Sequence, residues 1–336
     1  MKLPLSDFDY LLPEELIAQT PLEDRAASRL LHLDKSTGEI QHRRFRDCAA
    51  LLEPGDLLVM NDTRVSALRL YGNRPTGARV EALLLREAAP ETYIALTRPA
   101  KKLRVGERID FESGLVAEVV ADLGEGLKHL RFPSGSASDL DAVGLAPLPP
   151  YIKASLADRS RYQTIYADRP GSAAAPTAGL HFTHDILVEL QAKGVQIAKV
   201  TLDVSLDTFR PIQSEDAAEH LIHGEHCEVP EKTAQMIEAA AGRIIAVGTT
   251  TVRTLESLTT GKRRIQPGKM STQIYITPGY EFKIIEGMFT NFHMPKTTML
   301  LMISALAGRE AVMEAYKQAV QQQYRFLSFG DSMLIL

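Results

Sequence analysis

Three short segments carry the residue types that acid–base and anion chemistry need. The first, Arg161-Tyr162-Gln163-Thr164-Ile165-Tyr166, continues to Ala175-Pro176-Thr177-Ala178-Gly179-Leu180-His181-Phe182-Thr183. It gathers Arg, Tyr, Gln, Thr and His in a Pro/Gly-punctuated loop ahead of a helix, where backbone N–H groups and reactive side chains converge. The plainer reading is a surface loop ending in a capping Thr. The second, Val247-Gly248-Thr249-Thr250-Thr251-Val252-Arg253-Thr254, reads as strand, hydroxyl-rich turn and helix. Open α/β sheets hold ligands at the carboxyl ends of their strands, and a helix N-terminus favours an anion. This turn and Arg253 can therefore hold a carboxylate or phosphate, although a simple capping turn explains the same residues. The third, Thr290-Asn291-Phe292-His293-Met294-Pro295-Lys296, puts Asn, His and Lys on a connection before a helix. A lone His there reads as a catalyst or as a structural hydrogen-bonding group.

Other patterns remove classes of chemistry. His220-Leu221-Ile222-His223-Gly224-Glu225-His226-Cys227-Glu228 is rich in metal-ligand types, but lacks the His-Glu-x-x-His spacing that puts ligands and base on one helical face, so no metal is expected. Gly124-Glu125-Gly126 is too short for a dinucleotide fingerprint and reads as a hairpin turn; no Walker loop, Gly-x-Ser-x-Gly elbow or Cys-x-x-Cys pair is present. Cys48 and Cys227 stand far apart, which fits a reducing compartment. No apolar run reaches the ~18 residues that span a bilayer, and the acidic, Pro-containing start is unlike a signal peptide, so a cytoplasmic protein without membrane contact is expected. The net charge of −4 means that any nucleic-acid site must be a local basic patch. Arg98 to Arg104 with Lys101-Lys102, Arg159-Ser160-Arg161 and Lys262-Arg263-Arg264 are the candidates, each also readable as a solvated loop.

The elements that must position these segments fall into two textures. From Arg64 to Pro150, short β-rich runs (Val80 to Leu85, Tyr93 to Leu96, Leu115 to Val120, Lys128 to Phe132) alternate with turn residues, which predicts a small barrel or sandwich. The stiff stretch Gly144 to Pro150 marks its end. Beyond it, strands alternate with helices: a helix over Asp185 to Lys193 capped by Thr183, a strand to Val204, a helix opened by Pro230, a buried strand Arg243 to Val247, and a helix through Ser257. Strands are expected at Ile274 to Ile276 and Phe282 to Ile285, then helices at Met299 to Leu306 and Glu310 to Gln321. Leu57 to Met60, after Pro54-Gly55-Asp56, reads as a buried strand. The whole predicts a discontinuous α/β sandwich domain (1–63 plus 152–336) with an inserted small β-barrel domain (64–151). The substrate pocket is expected between the two.

Together these segments resemble one family, the S-adenosylmethionine:tRNA ribosyltransferase-isomerases of queuosine biosynthesis. The resemblance runs nearly end to end. It is carried by Asp7-Phe8-Asp9-Tyr10, Leu12-Pro13, Ile17-Ala18-Gln19, Ser28-Arg29-Leu30, Asn61-Asp62-Thr63-Arg64-Val65, Arg98-Pro99 with Lys101-Lys102-Leu103, Pro147 to Ile152, the three segments above, Pro278-Gly279-Tyr280, and Tyr324-Arg325-Phe326 with Gly330-Asp331. It implies that the ribosyl part of S-adenosylmethionine moves onto 7-aminomethyl-7-deazaguanine at the wobble position of a tRNA, giving epoxyqueuosine, adenine and methionine. S-adenosylmethionine is then a consumed co-substrate, no separate cofactor is expected, and a monomer is the default. Such chemistry needs a base, an acid for adenine, and a grip on carboxylate and phosphate. His181, Glu225 and His293 are the acid/base candidates; Arg64, Arg161 and Arg253 are the anion-binding ones. Arg98, Lys101, Lys102, Tyr162, Gln163, Thr177, Gly179, Thr249, Thr250 and Asn291 complete the expected substrate contacts. The chain departs from the family pattern at Asp203-Val204-Ser205-Leu206-Asp207, where a His and glycines are usual. That departure keeps open a divergent, non-catalytic relative that binds RNA or a nucleoside.

Overall fold

The computed structural model describes residues 3–204, 212, 214–220, 222 and 224–336. Along the chain come β1 (Arg29–Leu33), β2 (Ile40–Arg44), β3 (Leu57–Asn61) and the short β4 (Thr63–Val65). The next six strands are β5 (Leu68–Asn73), β6 (Arg79–Ala89), β7 (Thr92–Arg98), β8 (Arg108–Phe111), β9 (Val116–Gly124) and β10 (Leu127–Arg131). They close into a barrel ordered β10-β7-β6-β5-β8-β9. Its interior is filled by alternate residues, among them Val80, Ala82 and Leu84 of β6, and helix α1 (Ala137–Val143) adds Leu140 to that core. Then β11 (Arg169–Ser172) pairs in parallel with β4, tying together the chain entering and leaving the barrel segment.

The second half supplies α2 (His184–Ala192), β12 (Gln196–Leu202), β13 (Glu225–Val229), α3 (Glu231–Ala239), β14 (Ile244–Val247), α4 (Thr249–Ser257), a small β15 (Thr259–Gly261) and β16 (Arg264–Ile265) pair, β17 (Gly268–Thr272), β18 (Gly287–Asn291), α5 (Thr298–Ala307), α6 (Arg309–Gln321) and β19 (Ser332–Ile335). Among the described residues the main sheet has nine strands, ordered β17-β13-β12-β3-β14-β18-β19-β1-β2. Its centre, β12-β3-β14-β18, is parallel. A parallel centre is covered on both faces. Leu57, Val59, Ile244 and Ala246 enter one core, whereas their neighbours Leu58, Met60, Ile245 and Val247 enter the other. This is why Leu57 to Met60 reads as an unbroken apolar run. The expected fold class, an α/β sheet domain with a β-barrel, is what the chain adopts. No helix among the described residues is long and apolar enough to cross a membrane.

Two expected strands are absent. Ile274 to Ile276 and Phe282 to Ile285 are irregular. In the second, the buried Glu256 carboxylate accepts from the backbone N–H of Lys283 (2.9 Å), Ile284 (3.0 Å) and Ile285 (3.2 Å), donors that a ladder would need. The strand forms earlier instead, as β17, where only Thr272 is buried and no apolar alternation marks it.

Candidate functional site

The carboxyl ends of β3, β14 and β18 lie side by side at the centre of the sheet. Gly248, Thr249 and Thr250 after β14, Thr290 to His293 around the end of β18, and Ala175 to Ala178 line one cavity there, together with Tyr151, Val204, Met294, Met299 and Ser328. All three chemistry-bearing segments thus contribute. The wall is mostly apolar with a few polar groups, as small-molecule sites are. About 50 Å³ is free, room for one end of a nucleoside-sized ligand only. No barrel strand lines this cavity, although Tyr151, the last residue of the expected insertion, does. The barrel instead borders a separate cleft of about 840 Å³, shared with the Pro-rich boundary.

Local chemistry holds the walls. Gly248 sits at φ 86°, a left-handed conformation that lets β14 turn straight into α4. The first N–H groups of a helix have no intrahelical partners, so α4 opens at the cavity with the backbone donors of Thr249 and Thr250 unpaired among the described residues. Asn61, wholly buried at the end of β3, bonds to both backbone groups of Leu202 (3.0 Å each) and donates to the Thr250 hydroxyl (3.2 Å). It therefore locks β3, β12 and α4 together. In the sequence, Asn61-Asp62-Thr63 carried the family pattern but no assigned task.

His293 meets the cavity directly. Its N–H receives Tyr316 Oη as acceptor (2.9 Å), its carbonyl accepts from Tyr10 Oη, and Nε2 lies 2.8 Å from Thr290 Oγ1. Nδ1 has no hydrogen-bond partner among the described residues. Burial pushes the His293 pKa down to about 3, so the ring is neutral at ordinary pH. His181 stands behind the wall. Nδ1 is 2.8 Å from Ser28 Oγ, Nε2 is 3.2 Å from Asn291 Nδ2, and the ring stacks on Phe45. Burial, then the cations Arg25 and Arg325, push it down to about 3 as well. It lines a small recess with Arg161 and Ser328 rather than the main cavity.

Other expected site residues are placed elsewhere. Glu225 and Arg253 form a buried ion pair between β13 and α4, and neither lines the cavity. Arg253 Nε and Nη2 have no partner among the described residues. Arg161 is drawn to the carbonyls of Leu22 and Glu23. Arg64, Tyr162 and Gln163 line the cleft beside the barrel. Gln163 clamps the backbone of Val65 from both sides (3.1 and 2.8 Å), and Tyr162 packs edge-on against Phe329. Gly179 is a close approach: a Cβ there would stand 2.0 Å from Tyr166 Oη. Arg98, Lys101 and Lys102 are exposed at the end of β7 and the turn after it, apart from both cavities. Among the described residues no group of three His, Cys, Asp or Glu is placed to hold a metal; Leu221 and His223 lie outside them.

Residues 5–335 match the queuosine biosynthesis protein family. The chain belongs to this family. It is 48% identical over 341 residues to the S-adenosylmethionine:tRNA ribosyltransferase-isomerase of Desulforamulus reducens, covering 99% of this chain and 100% of that protein. It is 47% identical over 339 residues to the protein of that name from Staphylococcus aureus strain Newman, with 99% of each covered. A solved structure, the S-adenosylmethionine tRNA ribosyltransferase of Thermotoga maritima, is 36% identical over 98% of this chain and all of that one, with a TM-score of 0.57. The resemblance drawn from the motifs is thus borne out over almost the full length.

The departure at Asp203 is turned away from the cavity. Its carboxylate accepts from Thr63 Oγ1 at 3.0 Å and sits against Gly171, where an added Cβ would lie 2.9 Å from both oxygens. Val204, the next residue, faces the cavity instead. Asp203 lines a separate groove with His226 and Glu228, and burial raises its pKa. Ser205 and Asp207 lie outside the described residues.

Proposed function

We propose that this enzyme is the S-adenosylmethionine:tRNA ribosyltransferase-isomerase for which its relatives are named, acting on 7-aminomethyl-7-deazaguanine in tRNA. The observation that carries the site is the meeting of Thr177, Thr249-Thr250 and Asn291-His293 around one cavity. The main cavity takes the methionyl end of S-adenosylmethionine. Its thioalkyl chain lies against Met294, Met299 and Leu327, and its carboxylate meets the free N–H groups opening α4. The ribosyl carbons then lie toward the cavity mouth. His293 is the base: with Nε2–H donating to Thr290, the Nδ1 lone pair faces the ligand. It takes the C5′ proton made acidic by the sulfonium. Opening of the ribose expels adenine, which leaves with the proton that His293 returns. The tRNA amine adds to the vinyl sulfonium and gives its extra proton to the now neutral His293, the ylide closes on the C1′ aldehyde, and the alkoxide displaces methionine to form the epoxide. S-adenosylmethionine is consumed, so no separate cofactor enters.

Replacing His293 by Ala is expected to slow single-turnover adenine release by about 10²- to 10⁴-fold, with S-adenosylmethionine affinity little changed. An undiminished rate would remove His293 from the chemistry. The inserted segment 64–151 serves as the tRNA-side unit of a cytoplasmic monomer, with Lys101 and Lys102 on its exposed tip meeting phosphate. Replacing both by Ala is expected to weaken tRNA binding and reduce the slope of log affinity against log salt by about two, while S-adenosylmethionine binding holds. An unchanged slope would reduce the pair to a solvated turn.

A further inference from the structure

One carbonyl fixes the polarity of a buried chain of side chains behind the cavity. Asn291 Nδ2 lies 3.2 Å from Leu327 O, which can only accept, so the amide nitrogen must face it. The second amide hydrogen then points at His181 Nε2, 3.2 Å away, which must carry a lone pair. The imidazole proton is therefore on Nδ1 and donates to Ser28 Oγ (2.8 Å), whose own hydrogen goes to Arg25 O (3.2 Å). On the other side, Asn291 Oδ1 can only accept, so the Thr177 hydroxyl spends its hydrogen there (3.1 Å). Ser28, His181 and Asn291 are all more than nine-tenths buried, so the bonds of His181 to Ser28 and Asn291, and of Asn291 to Leu327, are closed to water, whereas half-buried Thr177 faces the cavity.

Protonation of His181 would set Nε2–H against an amide NH₂. Turning the amide to meet it would set Oδ1 against the Leu327 carbonyl. Either way a buried group loses its partner. The chain is no proton wire either, because a carboxamide does not pass a proton along without changing to its imidic form.

Resting on the reading that the main cavity holds the methionyl end, we infer that Thr177, its hydroxyl proton given to Asn291 Oδ1, is an acceptor-only wall selecting the α-ammonium group of the ligand, and that His181 is a positioning residue which, as the Nδ1–H tautomer, accepts from Asn291 and supports that amide's orientation. Thr177 Oγ1 keeps lone pairs for the cavity and no hydrogen. Of the groups on the methionyl end, only the ammonium donates. It fits beside the carboxylate held at α4, since Thr177 and Thr249 line the same cavity.

The tautomer is tested on the full-length protein without ligand, labelled with ¹⁵N at its imidazoles. The expected result for His181 is a protonated Nδ1 and a lone-pair Nε2, unchanged between about pH 5 and pH 8. An Nε2–H tautomer, or titration in that range, overturns the inference. Selection is tested by binding S-adenosylmethionine and its deaminated analogue to wild type and Thr177→Val. The substitution is expected to weaken S-adenosylmethionine by about 10- to 100-fold and to leave the analogue unchanged. Equal weakening of both, or of neither, overturns it. The positioning role predicts that His181→Phe loses about 100-fold in kcat/KM and that His181→Gln, whose Oε1 can accept from Asn291, restores most of it. Equal losses in the two variants contradict it. If wild type binds neither ligand, the functional reading fails, while the imidazole result is read independently of it.

Discussion

Acidification from about pH 6.5 to about pH 5 is expected to cost the folded chain about 2 kcal/mol for each of His181 and His293. Both rings are held near a pKa of about 3, against an ordinary value of 6.5, chiefly by burial. Below about pH 6.5 the unfolded chain takes up a proton at each, and the folded chain does not until near pH 3. The stabilisation is therefore complete above the unfolded value and declines as pH falls through that window. Carboxylates act in a different range: Asp34, held down to about 2 by hydrogen bonds from Ser36 and Thr37, loses its contribution only below about pH 4. Urea midpoints between about pH 7.5 and pH 5 measure the effect. His293→Leu, which cannot titrate, should show about half the histidine-linked slope. A slope identical to wild type would mean that His293 is not held neutral by the fold.

Breaking the Glu225–Arg253 pair is expected to have a comparable effect on stability. Arg253→Ala leaves a carboxylate at 3% exposure without its guanidinium, and such losses run to about 3–5 kcal/mol. Glu225→Leu combined with Arg253→Met should recover most of that, because removing both charges also removes their desolvation cost. Thermal melting of the two proteins separates the cases. An Arg253→Ala protein that melts with wild type would show that the pair is solvated and leave Arg253 free for a ligand.

The sequence read well wherever one residue type dictates one local outcome. Thr183 caps α2 through Ile186 N, Pro230 precedes α3, and the run Leu57 to Met60 is buried on both faces of the sheet. The three chemistry-bearing segments were visible because each gathers several hydroxyl, amide, imidazole or cationic side chains in a short stretch before an expected helix. What stayed hidden depends on partners far along the chain. His181 is a base candidate in sequence, whereas burial behind the wall, next to Asn291 110 residues on, is the main cause that pushes its pKa down to about 3. Arg161 looks like an anion clamp until the carbonyls of Leu22 and Glu23 occupy its guanidinium. Glu256 withdraws the backbone donors of Lys283 to Ile285 from any strand, which no periodicity announces. Gly179 is expected from the sequence to touch the substrate, whereas its lack of a side chain leaves room for Tyr166.

Adenine release by the full-length chain tests the proposed chemistry most directly. With S-adenosylmethionine and tRNA carrying 7-aminomethyl-7-deazaguanine, adenine and methionine should appear in equal amounts, matched by epoxyqueuosine in the tRNA and dependent on the precursor base. Absence of adenine under conditions where both substrates bind would contradict it, and would leave a relative that holds a nucleoside or RNA without turning it over.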